Sequence, residues 1–337
     1  MFNNIFLFLS TLSTVVTALA VSSSPMKSYL ITGANKGQGY ATCERILSEH
    51  SNTHVFLCSR DLKRGEAAKK KLIDECCTDS DGDSRVDVVQ LDVTDDASVK
   101  SALETVEQKL GQDGKLSGIV SNAGILWGYP LPELMDVCAT GVQRVLDTFT
   151  PIVEDDGRVV VVTSGLGPLM NSYSSKANQS KLMDVNSSFD ETITPMIDEC
   201  LSAYTNSNTI EERIKAFEEI GYPGGPFEAS APDFHMYGLS KMFGDSYMIR
   251  LAHQYPNLRV SSYDPGLVYT DLILKMPKYE GLKKSETSAQ TPREGVEGTM
   301  QLLFNDIAKG EESGKLYALN KERELVFSDI DKMPQKQ

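Results

Sequence analysis

Residues 29–39 read Tyr29-Leu30-Ile31-Thr32-Gly33-Ala34-Asn35-Lys36-Gly37-Gln38-Gly39, and the stretch from Tyr40 to about Glu49 is compatible with a helix. An apolar run, a glycine-rich turn and a helix in this order predict a dinucleotide site, because the helix directs its amide N–H groups and the positive end of its dipole at the pyrophosphate. Gly33 permits a tight exit from the strand, while Gly37 and Gly39 let phosphate and ribose approach the backbone. The spacing is TGxxxGxG and not GxGxxG, and glycine-rich turns also arise by chance.

Strand-like and helix-like segments alternate after this turn. Apolar runs at 54–58, 86–91, 118–121 and 158–164 read as buried strands, and 64–75, 97–110 and 136–150 read as helices. This alternation predicts an α/β fold, a Rossmann-type doubly wound parallel sheet, with ligands at the carboxyl ends of the strands. The polar motifs described below all fall at such strand ends.

A long segment separates Ser164, at the end of the fifth predicted strand, from Tyr237. Its part from 183 to 216 has helical character, and the Gly/Pro-rich stretch 221–226 interrupts regular structure. We therefore expect an inserted helical subdomain over about 170–232 within a single domain of residues 26–330, followed by a tail at 331–337. Beyond the insertion we predict a helix around Tyr237, a strand at 259–263, a helix at 291–304 and a last strand at 314–317.

Composition excludes some classes of partner. The net charge of −14 argues against a nucleic-acid-binding surface, which needs a basic face. Four histidines and six cysteines have no zinc-ligand spacing, so no metal site is predicted. Six cysteines are also too few for a disulfide scaffold in 337 residues, and we expect mostly free thiols.

Residues 1–25 precede the predicted fold. The apolar, uncharged stretch 5–21 ends in Ala18-Leu19-Ala20, which has the small-x-small form of a signal-peptidase site. We expect a signal peptide or a short signal anchor, which points to the secretory pathway and endoplasmic reticulum, or to a plastid by way of a signal peptide. Met26 lies just before the first predicted strand, so a shorter cytoplasmic product that begins at Met26 is the alternative. Contact with a membrane is expected only through this segment.

Three side chains are candidates for catalysis. Tyr237 and Lys241 have i,i+4 spacing, which places them on one face of a helix, one turn apart. A neighbouring ammonium favours phenolate and is expected to lower the pKa of the tyrosine, so that it can give and regain a proton. Ser164 adds a hydroxyl that can orient a substrate carbonyl. Each feature alone also fits a structural role, since Tyr-x-x-x-Lys is frequent and a strand-end serine is usually a cap.

The residues at the end of the second predicted strand indicate which nicotinamide cofactor the protein prefers. An NAD enzyme places a carboxylate there, whereas this chain has uncharged Ser59 followed by Arg60, which can grip a 2′-phosphate with two N–H bonds. Lys36 adds a second cation. The pattern predicts NADP(H), although Asp61 can be counted for NAD. Asp92 is a candidate for the adenine amino group or, equally, for a helix cap or turn.

These residues together resemble the short-chain dehydrogenase/reductase family, and most closely its monomeric NADPH-dependent carbonyl reductases. The resemblance covers about 27–325 and includes Asn122-Ala123-Gly124, Pro265-Gly266 and Thr270-Asp271. It implies that Tyr237 is the acid/base, Ser164 orients the carbonyl and Lys241 binds ribose and tunes the tyrosine. It also implies a monomer, because the insertion covers the surface that other members use to associate. The cofactor-binding residues expected overall are Gly33, Asn35, Lys36, Gly37, Gln38, Gly39, Ser59, Arg60, Asp92, Val93, Asn122, Ala123, Gly124, Tyr237, Lys241, Pro265, Gly266, Val268 and Thr270.

The chain departs from the family pattern at three positions. Cys138 stands where the family usually has an asparagine that anchors a water of the proton relay, which puts that water in doubt. Ser121 replaces a common asparagine, and Gln38 replaces an aliphatic residue. The last two changes are expected to be tolerated.

The activity expected from the sequence is NADPH-dependent reduction of a ketone, aldehyde or quinone carbonyl, with tyrosine as the proton donor. The alternatives are an alcohol dehydrogenase that runs toward oxidation and a non-catalytic NADP(H)-binding sensor or scaffold. Candidates for the wall of the substrate pocket are Leu126, Trp127, Tyr173 and Met236, and plain core packing fits each of them equally well. The physiological substrate and the stereochemistry stay open.

Overall fold

The computed structural model describes residues 26–76, 82–224, 232–305, 313–320, 323 and 325–327. An eight-stranded sheet runs through these residues in the order β3-β2-β1-β4-β5-β6-β7-β8, and all neighbouring pairs are parallel except β7 and β8. The strands are β1 Lys27–Ile31, β2 Thr53–Ser59, β3 Val86–Gln90, β4 Leu116–Ser121, β5 Val153–Val162, β6 Arg259–Asp264, β7 Lys315–Leu319 and β8 Leu325–Phe327. The predicted doubly wound parallel sheet is confirmed.

The order of the strands reverses at β1. The chain proceeds from β1 to β2 and β3 on one side and then returns to form β4 on the other. Ile31, at the end of β1, is in register with Leu57 of β2 and with Val120 of β4. The crevice between β1 and β4 is therefore the switch point at which open α/β sheets bind ligands.

Helices cover both faces of the sheet and create two apolar cores. Alternate residues of β1 point to opposite faces: Leu30 packs in one core, and Tyr29 and Ile31 pack in the other. The described α-helices are α1 Gly37–Glu49, α2 Leu62–Cys76, α3 Asp96–Leu110, α4 Leu131–Met135, α5 Gly141–Phe149, α6 Leu166–Tyr173, α7 Lys176–Met183, α8 Phe189–Thr205, α9 Ile210–Glu219, α10 Pro232–Gln254, α11 Asp271–Leu274, α12 Pro292–Gly295 and α13 Glu297–Phe304. None of them is long and apolar enough to cross a membrane.

Helix α10 is buried on all sides. Every residue from His235 to Ala252 is buried, because the sheet lies on one side of the helix and α6, α7 and α8 of the insertion lie on the other. Arg250 fastens this arrangement, since its guanidinium donates to the carbonyl oxygens of Lys181, Leu182 and Ser187 at 2.7–3.1 Å. In the described part of the segment between β5 and α10, the predicted helical insertion contains the helices α6 to α9.

The structure departs from the sequence-based expectations in two places. Of the single helix predicted over 136–150, Gly141–Phe149 form the α-helix α5, whereas Asp136–Thr140 form a π-helical turn that joins α4 to α5. The antiparallel strand β8 was not predicted. The expected bounds of the domain, 26–330, and of the insertion, 170–232, stay predictions, and residues 1–25 and 331–337 lie outside the described residues.

Candidate active site

The glycine turn joins β1 to α1 with two residues in the left-handed region. Gly33 has φ +63° and Gly37 has φ +60°, conformations that favour glycine. At Gly39 a Cβ atom would lie 2.6 Å from Asn122 Nδ2 and 2.7 Å from the carbonyl oxygen of Gly33. This close approach lets α1 start directly above the end of β1, so the turn has the form that a pyrophosphate requires.

The ends of β1 and β4 are held together by hydrogen bonds. Thr32 Oγ1 accepts from the backbone N–H groups of Asn122 and Ala123, both at 2.9 Å. Asn122 Nδ2 donates to the carbonyl oxygen of Thr32 at 2.9 Å. Asn122 therefore positions one wall of the crevice through its side chain. Thr32 is fully buried and was not among the predicted site residues, although its position at a strand end is a usable signal.

The corner predicted to hold a 2′-phosphate contains two exposed cations. Arg60 Nε lies 3.9 Å from Asp92 Oδ2, and 74% of the Arg60 side chain is exposed. Lys36 Nζ lies 2.6 Å from Asp271 Oδ2, and both of these side chains are exposed. Ser59 is buried at the end of β2, and its hydroxyl donates to the carbonyl oxygen of Asp61.

The two acidic residues of this corner have structural contacts. Asp61 Oδ1 accepts from the backbone N–H of Arg64 at 3.0 Å, at the start of α2. Asp92 Oδ1 accepts from the backbone N–H of Thr94 at 3.0 Å and from its hydroxyl at 2.7 Å. The turn expected as an alternative for Asp92 is therefore present, while its Oδ2 faces Arg60. Val93 is buried beside it.

The predicted catalytic residues meet where α6 and α10 cross the end of β5. Lys241 Nζ donates to the carbonyl oxygen of Val162 at 2.8 Å and lies 5.6 Å from the centre of the Tyr237 ring. Ser164 lies two residues after the end of β5, and its Oγ accepts from the N–H of Leu166 at 3.3 Å, which leaves its own hydroxyl proton to donate. A Cβ at Gly167 would lie 3.1 Å from the Lys241 carbonyl carbon, so the segment after Ser164 packs directly on α10.

The Tyr237 phenol is buried and its pKa is raised well above the ordinary value. Burial is the main cause, because it disfavours the phenolate, and Cys138, Asp264 and Asp245 add to it. The sequence-based expectation of a pKa lowered by Lys241 is wrong for the protein chain alone. A phenol in this setting is protonated over the whole neutral range.

The loop after β6 forms the other wall of the crevice. Gly266 has φ +68°, and its N–H donates to Asp264 Oδ1 at 2.9 Å. The carbonyl oxygen of Pro265 accepts from Gln290, and Val268 is buried. A Cβ at Gly37 would lie 3.4 Å from Thr270 Cγ2, so this loop contacts the glycine turn.

Cys138 reaches the active site from the π-helical turn. Its thiol donates to the carbonyl oxygen of Ile125 at 3.6 Å. A Cβ placed on Gly124 would lie 3.8 Å from Lys241 Nζ and 4.0 Å from Cys138 Sγ, so both groups border this glycine. The cysteines at positions 43, 58, 138 and 200 are free thiols.

The candidate substrate residues divide into two groups. Leu126 and Met236 are buried in the apolar core, which agrees with the alternative that these residues serve core packing. Trp127 is half-buried and makes an edge contact with Phe234, with ring centres 5.7 Å apart. Tyr173 is 40% exposed.

Two aromatic residues near Trp127 were missed at the sequence level. Phe234 lies three positions before Tyr237. The hydroxyl of Tyr129 accepts from Lys275 Nζ at 3.1 Å, and that ammonium lies 4.8 Å from the centre of the Tyr129 ring. Their short distance from Asn122–Gly124 and from Tyr237 along the chain is a signal that could have found them. In the described part of the chain, no group of three His, Cys, Asp or Glu side chains is arranged to hold a metal ion.

Comparisons with known proteins agree with this geometry. A family model described as short chain dehydrogenase matches residues 27–186. The chain is 28% identical over 321 residues to short-chain dehydrogenase/reductase 1 of Saponaria officinalis, covering 86% of this chain and 93% of the relative. It is 26% identical over 336 residues to a (+)-neomenthol dehydrogenase of Capsicum annuum, covering 87% and 96%. Among solved structures, salutaridine reductase from Papaver somniferum shares the fold with a TM-score of 0.65 at 22% identity, covering 86% of this chain and 99% of that chain.

Proposed function

The chain belongs to the short-chain dehydrogenase/reductase family of enzymes, and from this premise we propose that it is an NADPH-dependent reductase of ketone, aldehyde or quinone carbonyls. The observation that carries the proposal is the Tyr237–Lys241 pair beside Ser164, with the glycine turn two strands away in the same sheet. An acid, a hydroxyl donor and a dinucleotide cradle at one sheet edge suit carbonyl reduction.

The chain's own residues have separate roles in this reaction. The residues of the glycine turn, of the ends of β2 and β4 and of the 265–271 loop would hold the cofactor, which when bound supplies the hydride. Ser164 donates a hydrogen bond to the substrate carbonyl oxygen and fixes its position. Tyr237 then transfers its proton to that oxygen, and the ammonium of Lys241 offsets the negative charge that develops on the phenol.

Preference for NADP(H) rests on the charges at the end of β2. Arg60 and Lys36 have exposed charged ends, and each lies beside one carboxylate that a phosphate can replace. Asp61, which would favour NAD, instead accepts the Arg64 amide at the start of α2. The corner thus offers two cations to a 2′-phosphate, while Asp61 is engaged with the start of α2.

The substrate class follows from the mouth of the site. Trp127, Phe234 and Tyr129 present aromatic surface there. Two charged groups lie at its edge: Lys275 beside Tyr129, and Asp233, which accepts from the N–H of Gly128. Such a wall favours apolar substrates that carry a ring over small hydrophilic aldehydes. The relatives named for neomenthol and salutaridine are consistent with this preference.

We also propose a monomer. Packing of α6, α7 and α8 buries α10 within its own chain, which leaves this helix without a free face for a second copy. Sedimentation of the protein in solution tests this point, and a stable dimer would contradict it.

The test of the function is NADPH consumption with ring-bearing ketones, quinones and small aldehydes. We expect turnover that Tyr237→Phe abolishes and that Tyr204→Phe, a matched change at a tyrosine of α8 whose ring contacts Arg213, leaves intact. Two results distinguish the alternatives. An enzyme that serves mainly in oxidation would turn over an alcohol with NADP⁺ faster than it reduces the matching carbonyl with NADPH at neutral pH. A sensor would bind NADPH without turnover in any variant.

A further inference from the structure

Helix α10 carries a third ionisable side chain in line with the catalytic pair. Tyr237, Lys241 and Asp245 occupy positions i, i+4 and i+8, so they lie on one face of the helix on successive turns. Asp245 is 8% exposed, and its Oδ1 accepts from the hydroxyl of Ser262 at 3.1 Å. Its Oδ2 has no hydrogen-bond partner of good geometry among the described residues. A buried carboxyl with so little support needs an explanation.

The surroundings of Asp245 determine its charge. A Cβ at Gly167, the facing residue of α6, would lie 2.5 Å from Asp245 Oδ2, so the backbone of α6 packs directly against the carboxyl at this point. The charged groups that act on Asp245 are Lys241 of the same helix and Asp264 of β6, and Thr163 and Ser262 contribute hydroxyls. Burial is the main influence and raises the pKa of Asp245 to about 7.

A second carboxyl, that of Asp264, lies beside the residue that follows Ser164. Asp264 accepts from the N–H of Gly165 at 3.0 Å and from the N–H of Gly266 at 2.9 Å. Both carboxyls act on the Tyr237 phenol in the same sense, since each raises its pKa when ionised. Asp264 holds the backbone next to Ser164, whereas the contacts of Asp245 are with the side-chain hydroxyls of Ser262 and Thr163. Asp245 is therefore the freer of the two to act through its charge.

We propose that Asp245 is a positioning residue of the active site, whose carboxylate behind Lys241 keeps Tyr237 in its protonated, proton-donating form and so extends carbonyl reduction into the alkaline range. This inference rests on the proposed function and deepens it. Reduction needs the phenol, because the phenolate has no proton to transfer. A negative charge near the phenol opposes loss of that proton, and the effect is present only where Asp245 is ionised, above about pH 7.

The size of the effect follows from the helix geometry. Positions i and i+8 are about 12 Å apart along the axis. A unit charge at that distance, with an effective dielectric constant of about 20, shifts the ionisation of the phenol by about one pH unit. Removal of the charge is therefore expected to move the alkaline loss of reductase activity down by about one pH unit.

The experiment compares Asp245→Asn with Asp147→Asn. Asp147 is also a carboxyl with a raised pKa at the α10 interface, where it accepts from the Tyr247 hydroxyl, but it does not act on Tyr237. We expect the alkaline limb of kcat to move down by about one pH unit in Asp245→Asn and to stay in place in Asp147→Asn. Ser262→Ala, which keeps the carboxylate, is expected to leave the limb in place as well. If Asp245→Asn does not fold, Asp245→Ser replaces it with the same expectation.

A purely structural Asp245 would give a different result. In that case Asp245→Asn and Ser262→Ala would both lower kcat at every pH without moving the limb, and the inference would be overturned. Titration of the Tyr237 phenol by ultraviolet absorbance, taken as the difference between each protein and its Tyr237→Phe counterpart, gives a readout that needs no turnover. Absence of NADPH-dependent turnover in the wild type would refute the proposed function, and the phenol titration would still decide the role of Asp245.

Discussion

Substitution of Gly39 by alanine is expected to damage the cofactor site more than the rest of the fold. The added methyl group would lie 2.6 Å from Asn122 Nδ2, 2.7 Å from the carbonyl oxygen of Gly33 and 2.8 Å from Ala34 Cα. Two of these atoms belong to the backbone of the glycine turn and cannot rotate away. Overpacking of this kind costs about 1–3 kcal/mol, and the strain falls on the turn that holds the pyrophosphate.

Two measurements test this expectation. We expect Gly39→Ala to lower the Tm by about 5 °C, at about 2–4 °C per kcal/mol. We also expect the Kd for NADPH, measured by fluorescence titration, to rise by at least about tenfold, since a displacement of the turn that costs about 1.4 kcal/mol of binding energy suffices for that factor.

The matched control is Gly111→Ala. Gly111 has φ +80° and no atom within 4 Å of an added Cβ, so alanine there introduces backbone strain without a clash. This variant is expected to lose about 1–2 kcal/mol of stability and to bind NADPH like the wild type. If Gly39→Ala keeps the wild-type Kd, or if both variants lose NADPH affinity equally, the account of the glycine turn is wrong.

Three further predictions follow from single contacts. Arg60→Gln is expected to weaken NADPH binding about tenfold without affecting NADH binding, as charge-assisted bonds to phosphate imply. Arg64→Gln is the control. Equal losses of affinity for both cofactors in Arg60→Gln would contradict the assignment. Arg250→Met is expected to lower stability by about 3 kcal/mol, because three backbone carbonyls of the insertion lose their donor, while the NADPH Kd stays unchanged; chemical denaturation measures the first and titration the second. Asp245→Asn is expected to raise the Tm, and more so at pH 8 than at pH 5. The folded-state pKa of Asp245, about 7, lies above its ordinary value of 3.8. The wild type is therefore stabilised by the bound proton at low pH and loses that contribution as pH rises through 7. A Tm difference between the two proteins that does not depend on pH would refute this.

The sheet and the cofactor cleft were predictable because their signals are local. An apolar run, a turn with glycines at fixed positions and a helix form one continuous stretch, and β1 and α1 appear within three residues of their expected starts. Parallel strands bring their carboxyl ends to one edge, so Ser59, Asn122 and Ser164 were expected near each other before any distance was known.

Features that depend on distant parts of the chain were not predictable. The pairs Lys36–Asp271 and Arg60–Asp92 join different loops. Because α10 is buried on all sides, its sequence lacks the amphipathic pattern by which a buried helix face is identified. Nothing in the sequence therefore marks Asp245 as a buried carboxyl. The direction of the Tyr237 pKa shift has the same origin, because burial by surrounding elements outweighs the neighbour four residues away.

The π-helical turn at Asp136–Thr140 also escaped prediction. Its residues have ordinary helix propensities, and the turn is seen only where the segment packs on α10. A Cβ at Gly244 of α10 would lie 2.6 Å from the carbonyl oxygen of Cys138, so this contact requires a glycine on the facing helix. The position of the Cys138 thiol beside Gly124 follows from that packing.

The most direct test of the account is the single-turnover rate of carbonyl reduction with NADPH already bound, compared between the wild type and Tyr237→Phe. Because the rate is measured with NADPH saturating, a change in the NADPH Kd does not enter, and the rate is expected to fall by about 10²–10⁴-fold, the usual contribution of a positioned acid. A Tyr237→Phe protein that binds NADPH and reduces its substrate at the wild-type rate would contradict the assignment of Tyr237 as the proton donor.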